Sequence, residues 1–166
     1  MNITFGGNQV TIVGNGVKVG DKAPLFTGTK NDLSEYNLVD DLGKVIIISV
    51  VPSVDTGVCS LQTQRFNEEA SKLSDEIKLI TISLDLPFAQ GRFCGAHGIE
   101  NHELVSDYKE REFGMKYGFL IDEHKLLARG VVIIDKEGKV AYEEIVEEVT
   151  DEVDFDKALE EAKKLA

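Results

Sequence analysis

The sequence predicts an α/β fold built on a mixed central β-sheet with helices on its faces. Two observations carry that expectation. KVIIISVV (44–51) and IKLITISLD (77–85) are continuous apolar, β-branched runs on either side of a stretch with helical periodicity, which makes a β-α-β unit of strands buried on both faces. Further on, GVVIID and KVAYEEI are joined by DKEGK alone, with Gly138 at the tight point of a hairpin turn. That hairpin fits a wholly parallel sheet badly.

Each element follows in order. ITFGGNQVTIV (3–13) reads as two short β-rich arms around Gly6-Gly7-Asn8, an extra N-terminal β-hairpin over about residues 1–14. GNGVKVG (14–20) has a misplaced third glycine and no strand-to-helix frame for a dinucleotide fingerprint, so it reads as a turn. After the first buried strand, Phe66, Ala70 and Leu73 recur at helical spacing, and a helix is expected from Cys59 to about residue 73. LPFAQGRFCGAHG opens on Pro87, well suited to a first helical turn, but Gly91, Gly95 and Gly98 predict a short, weak helix. A further helix is expected over about 106–115, then the late hairpin. The chain closes on a helix with Phe155, Ala158, Leu159, Ala162 and Leu165 on one stripe. This order, read as one domain over residues 1–166, is the layout of a thioredoxin-like fold.

Composition narrows the functional classes. At 166 residues and 42% hydrophobic content, the chain is long enough to bury a sizeable core. Thirty acidic against eighteen basic residues give a net charge of −12, which argues against nucleic acid or an anionic membrane as partner. No run approaches the ~18 apolar residues of a membrane span. MNITFGGNQV lacks a basic flank before an apolar core, so a cytoplasmic location is expected. Stable structural disulfides are uncommon there. Cys59 and Cys94 are then either inert core thiols or redox groups; no spacing suggests a metal site, and no cofactor is expected.

The stretch VVPSVDTGVC (50–59) favours the redox reading. An apolar run stops at a proline, crosses a polar bend and sets a cysteine in the first turn of a helix. Unpaired N–H groups and the helix dipole favour a thiolate there. Cys59 precedes Phe66 by seven residues, so it points inward, into a partly shielded pocket. Pro52 fixes a backbone angle and walls that pocket. Thr56 offers a hydroxyl to the sulfur or to a substrate oxygen. It stands where a dithiol oxidoreductase of this fold carries the first cysteine of CxxC, which argues against dithiol exchange within this loop. Arg129 starts the first arm of the late hairpin. If that arm runs antiparallel to the 45–51 strand, Arg129 lies at the sheet edge where the other strand ends; a solvated strand-end arginine is the alternative. Arg92 and Arg65 read better as solvated.

Pro52-x-x-x-Thr56-x-x-Cys59 resembles the peroxidatic motif of peroxiredoxins, and PSVDTGVC looks like the form found in their bacterial thiol peroxidase (atypical 2-Cys) subfamily. SLDLPFAQGRFCGA (83–96) resembles that subfamily's second signature, and the remaining elements fall in matching order along essentially the whole chain. The resemblance implies a thiol-dependent peroxidase that reduces hydrogen peroxide and organic hydroperoxides. It makes Cys59 the peroxidatic residue, passing through a sulfenic acid, and Cys94 the resolving one in an intramolecular Cys59–Cys94 disulfide. It also implies catalytic roles for Thr56, Pro52 and Arg129, thioredoxin as reductant, and a homodimer. Phe88, Phe93 and Val58 are expected to line an apolar substrate pocket, and the 88–95 segment or the Cys59 turn to unwind during turnover. The alternatives are a non-enzymatic redox relay or peroxide sensor, and a binding domain with idle cysteines. His97, His102 and His124 read as surface or capping residues, the acid-rich EEIVEEVTDEVDFD as a solvated strand edge and helix start, and Tyr36 and Tyr117 have no assignable role.

Overall fold

A run of isoleucines that cannot tolerate water on either side sets the frame. The computed structural model describes residues 2–70, 72–99 and 102–166. Its strands begin with β1 (Ile3–Phe5), β2 (Asn8–Val10), β3 (Ile12–Val13), β4 (Thr27–Lys30) and β5 (Glu35–Asn37). A 3-10 turn (Leu38–Asp41) leads into β6 (Val45–Val50) and helix α1 (Gly57–Ala70). Then come β7 (Ile77–Ser83), α2 (Pro87–His97), β8 (Glu103–Ser106), α3 (Glu112–Tyr117), β9 (Leu120–Ile121) and β10 (Leu126–Leu127). The hairpin β11 (Gly130–Ile134) and β12 (Val140–Ile145) precedes α4 (Phe155–Leu165).

Among the described residues the main sheet has seven strands in the order β12-β11-β6-β7-β8-β4-β5. β6, β7 and β8 are parallel, while β11 is antiparallel to β6 and to β12. All of β6 is buried. Side chains alternate between faces. Val45, Ile47, Val131 and Ile133 meet Phe66 of α1 and Phe155, Ala158 and Leu159 of α4. Ile46, Ile48, Val132 and Ile134 meet Phe26, Phe113, Tyr117 and Phe119 on the other side. The predicted α/β class, a mixed sheet flanked by helices with an N-terminal hairpin, is the observed one. The stripe on α4 is buried as expected, with Asp154 capping its start by accepting from Lys157 N.

Several details differ from the sequence reading. The N-terminal turn is Gly6-Gly7 alone, both at positive φ, and Asn8 already pairs with Phe5. The helix expected over 106–115 is α3, and Ser106 ends a parallel strand instead. Buried Asp107 explains the shift, because its carboxylate accepts from Phe113 N at 3.1 Å and Gly114 N at 2.8 Å and so fixes the helix start later. α1 ends at Ala70; Lys72 and Leu73 lie in a turn, and Ser71 is outside the described residues. α2 is a full eleven residues. Its interior glycines cost roughly 1 kcal/mol each, but buried Phe93 and Gln90 anchor it, and Gly98 at φ 62° closes it in the left-handed conformation. Tyr36 and Tyr117 are core residues whose hydroxyls donate to Asp41 and to the Pro24 carbonyl.

Candidate active site

β6, an interior strand, delivers the chain to the carboxyl end of the parallel strands, Val51 and Pro52 remain buried, and α1 begins at Gly57. Thr56, the residue before it, caps the helix: its hydroxyl oxygen accepts from Cys59 N at 3.2 Å, and its proton is directed to Ser53 O at 3.5 Å. The hydroxyl is thus engaged with backbone at both ends. Cys59 has no exposed surface, so the shielding is complete rather than partial. It packs among Val51, Val54, Phe93, Ile99 and Leu104, with Cys94 at the margin of the same cluster. Both cysteines are free thiols.

The register explains why Arg129 reaches the sulfur. Gly130 pairs with Val50, so Arg129 stands beside the end of β6, and it shares the face of Val131 and Ile133 on which α1 lies. Its side chain is 2% exposed. Arg129 Nη2 donates to Cys59 Sγ at 3.0 Å, Nη1 to Gln62 Oε1 at 3.0 Å and Nε to Val149 O at 2.7 Å. Gln62 is held in turn by its own donation to Ser49 Oγ at 2.8 Å. The N-terminal hairpin braces the third partner. Thr4 N donates to Glu147 O, Val149 N donates to Thr4 O, and the Glu148 carboxylate accepts from Gly6 N and Gly7 N. A guanidinium with three fixed bonds in a site without solvent is a preorganised positive charge on the thiol.

Cys94 lies on α2, half-buried, at the rim of a cleft of about 630 Å³ that also takes in Asn31, Lys78, His102 and Glu103. Asn31 Nδ2 donates to its sulfur at 3.7 Å. Burial pushes the Cys94 thiol pKa up, and the Asn31 amide pulls it back. The two thiols therefore bond to opposite flanks of the sheet: Arg129 precedes β11, and Asn31 follows β4, four strands away.

The other candidates separate from this centre. Arg65 pairs with Asp156 at 3.2 Å and covers the Phe155 ring, on the seam with α4. Arg92 is exposed beside Leu86, Phe88 and Ala89. Phe88 is 69% exposed and stands outside the buried cluster around Cys59, to which Phe93 belongs. Five residues on a helix turn the side chain by about 140°, so the two rings face opposite ways. Gln62 and Asp85, both bonded into this region, were missed; Gln62 had a signal, a polar residue at i+3 on the face that Cys59 and Phe66 bury.

His102 is a largely buried residue in the wall of the Cys94 cleft, not a freely solvated one. Its Nδ1 lies 3.2 Å from Asn67 Oδ1 and its Nε2 3.1 Å from Thr81 Oγ1, and burial lowers its pKa to about 4. The unfolded chain binds its proton near pH 6.5, so the contribution of neutral His102 is complete above that value and is lost as pH falls towards 4. The expected loss is about 3 kcal/mol. Asp107, pushed up to about 6 by burial, acts with the opposite sign. Urea melts of the wild type and His102→Gln at pH 7 and pH 4.5 isolate the histidine: their stability difference should change across that interval, and a constant difference would exclude the effect.

Residues 18–159 match the family described as Redoxin. The chain is 55% identical to the thiol peroxidase of Bacillus subtilis over 163 residues, covering 98% of this chain and 97% of that one. With the thiol peroxidase of Halalkalibacterium halodurans the identity is 52% over 162 residues, covering 98% and 97%. Among solved structures, a peroxiredoxin-like protein from Aquifex aeolicus superposes with a TM-score of 0.93 at 41% identity, covering 99% of this chain and 97% of that one. The thiol peroxidase from Chromobacterium violaceum gives 0.86 at 25%, covering 100% and 99%. With a buried, arginine-bound thiol at its centre and thiol peroxidases alike along its full length, the chain belongs to the Redoxin family, and its activity is thiol-dependent peroxide reduction.

Proposed function

We propose that Cys59 is the peroxidatic residue, Cys94 the resolving one, and Arg129, Thr56 and Pro52 their catalytic support. The observation that carries this reading is the 3.0 Å bond from Arg129 Nη2 to Cys59 Sγ, made by a guanidinium that is itself buried. The Cys59 thiolate attacks one oxygen of ROOH. The S–O bond forms as the O–O bond breaks, the electron pair leaves on RO⁻, and a proton completes the alcohol or water. Negative charge passes from sulfur to the departing oxygen. A guanidinium with one N–H already on the sulfur and its other two bonds holding it in place serves both ends of that transfer. The Thr56 proton, held only by a 3.5 Å contact, turns to the incoming peroxide, and buried Pro52 keeps the bend closed behind it.

The Cys94 thiol then attacks the Cys59 sulfenic sulfur, forming the S–S bond and releasing water. An S–S bond needs Cα atoms within about 7 Å. Cys59 is held by Arg129 and Cys94 by Asn31, and both bonds break as the sulfurs join; the α1 first turn, the 88–95 segment or both are expected to unwind in that step. Thioredoxin, or a dithiol like it, returns both thiols by exchange. The same reading makes the protein a cytoplasmic homodimer. The test is a steady-state assay with thioredoxin, thioredoxin reductase and NADPH across hydrogen peroxide and alkyl hydroperoxides. NADPH consumption far beyond one equivalent of protein is expected. Oxidation that stops at one equivalent would remove thioredoxin from the scheme and favour a relay.

A further inference from the structure

SLDLPFAQGRFCGA supplies more than its cysteine. Asp85, at the exit of β7, accepts three hydrogen bonds on its carboxylate: from Ser53 Oγ at 2.7 Å and Val54 N at 2.9 Å in the bend before α1, and from Ser83 Oγ at 2.7 Å. Ser83 Oγ in turn accepts from Gln90 Nε2 at 2.9 Å, and Gln90 is wholly buried in α2, one turn before Cys94. The Asp85 carbonyl accepts from Ser106 Oγ, which ties the junction to β8. On the other side the chain of bonds reaches the Cys59 turn, because Ser53 O accepts from Thr56 N and Oγ1, and Thr56 Oγ1 accepts from Cys59 N.

We propose that Asp85 is a positioning residue that holds the Cys59 loop and the Cys94 helix in the arrangement that reacts with peroxide, and whose hold is released for disulfide formation. The inference rests on the assignment of Cys59 and Cys94 made above. Fixing the bend fixes the cap, and the cap fixes the sulfur against Arg129; an error of 1 Å at such a centre can cost about a hundredfold in rate. Release is favoured by a defect in the same junction. Gln90 Oε1 is buried with no hydrogen-bond partner among the described residues. A buried acceptor left unmet destabilises the docked state, and that penalty disappears when α2 loosens.

The roles of the two steps separate in time. Asp85→Ala should slow oxidation of Cys59 by roughly 10- to 100-fold without slowing the later closure of the disulfide, and Asp85→Asn should do so less, because its amide can still accept at one atom. Ser53→Ala removes one of the two ties to the loop, together with the acceptor of Asp55 N, leaves the Val54 N bond, and should move the first step in the same direction by less. All three are read by rapid-quench mass spectrometry with thiols blocked at each time point, which suits a chain without tryptophan. First-step rates equal to wild type in all three variants, or both steps slowed in equal proportion, would overturn the proposal. Failure of Asp85→Ala to fold leaves the other two to decide. A wild-type protein that never gains oxygen on Cys59, or never joins it to Cys94, would overturn the underlying assignment as well. Normal wild-type steps with unaffected variants would overturn this proposal alone.

Discussion

Serine in place of Cys59 is expected to abolish peroxide turnover, by roughly 10⁴-fold or more, the scale on which removal of a nucleophile acts. Serine in place of Cys94 should leave a single reduction of peroxide and block recycling by thioredoxin. Both substitutions suit their surroundings. In Cys59→Ser the new hydroxyl oxygen can still accept from Arg129 Nη2, and in Cys94→Ser it can accept from Asn31 Nδ2, so each variant keeps its hydrogen bond and its volume nearly unchanged. Loss of activity then reports chemistry, not unfolding. After a brief peroxide pulse, intact-mass measurement should find the wild type short of two hydrogens, the Cys94 variant heavier by one oxygen, and the Cys59 variant unaltered. Continued thioredoxin-driven turnover by the Cys94 variant would show that another group resolves the sulfenic acid.

What the sequence discloses depends on how far apart the interacting residues lie. β6, β7, β11, β12 and α4 are legible because their periodicity is long enough to distinguish a strand from a helix. β4, β5 and β8 are not: TGTK, EYN and ELVS are three or four residues each, too short for any period, and they join the sheet only because β7 offers β8 an edge to pair with. Arg129 is legible by register, since an antiparallel hairpin arm must begin where its neighbour ends, and Gly130 opposite Val50 is that geometry. Partners chosen by tertiary packing leave no such trace. Asn31 is 63 residues from Cys94, and Asp85 is 31 from Val54. Phe88 misled for the opposite reason. Proximity to a motif suggested a pocket wall, while the helix phase turned the ring outwards.

Replacing Arg129 by methionine is expected to lower the rate constant for peroxide with Cys59 by about 10²- to 10³-fold, the usual cost of removing one aimed donor from a developing oxyanion. Methionine keeps most of the buried stem but has no side-chain N–H. Gln62 Oε1 and Val149 O then lose their donors in the interior, at about 1–3 kcal/mol each, so a fall in Tm is expected too. The two effects are separable through Arg129→Lys. An ammonium keeps the charge but lacks the planar fork that meets sulfur, amide and carbonyl at once. If the charge alone matters, the lysine variant should react almost as fast as wild type once folded. If the fork matters, it should fall between methionine and arginine while its Tm recovers less than its rate. Rapid-mixing kinetics at a temperature well below each variant's melting point, read beside the melts, distinguish these cases. A methionine variant with reduced Tm and an unchanged rate would make Arg129 a structural residue and leave the helix start alone to activate the sulfur.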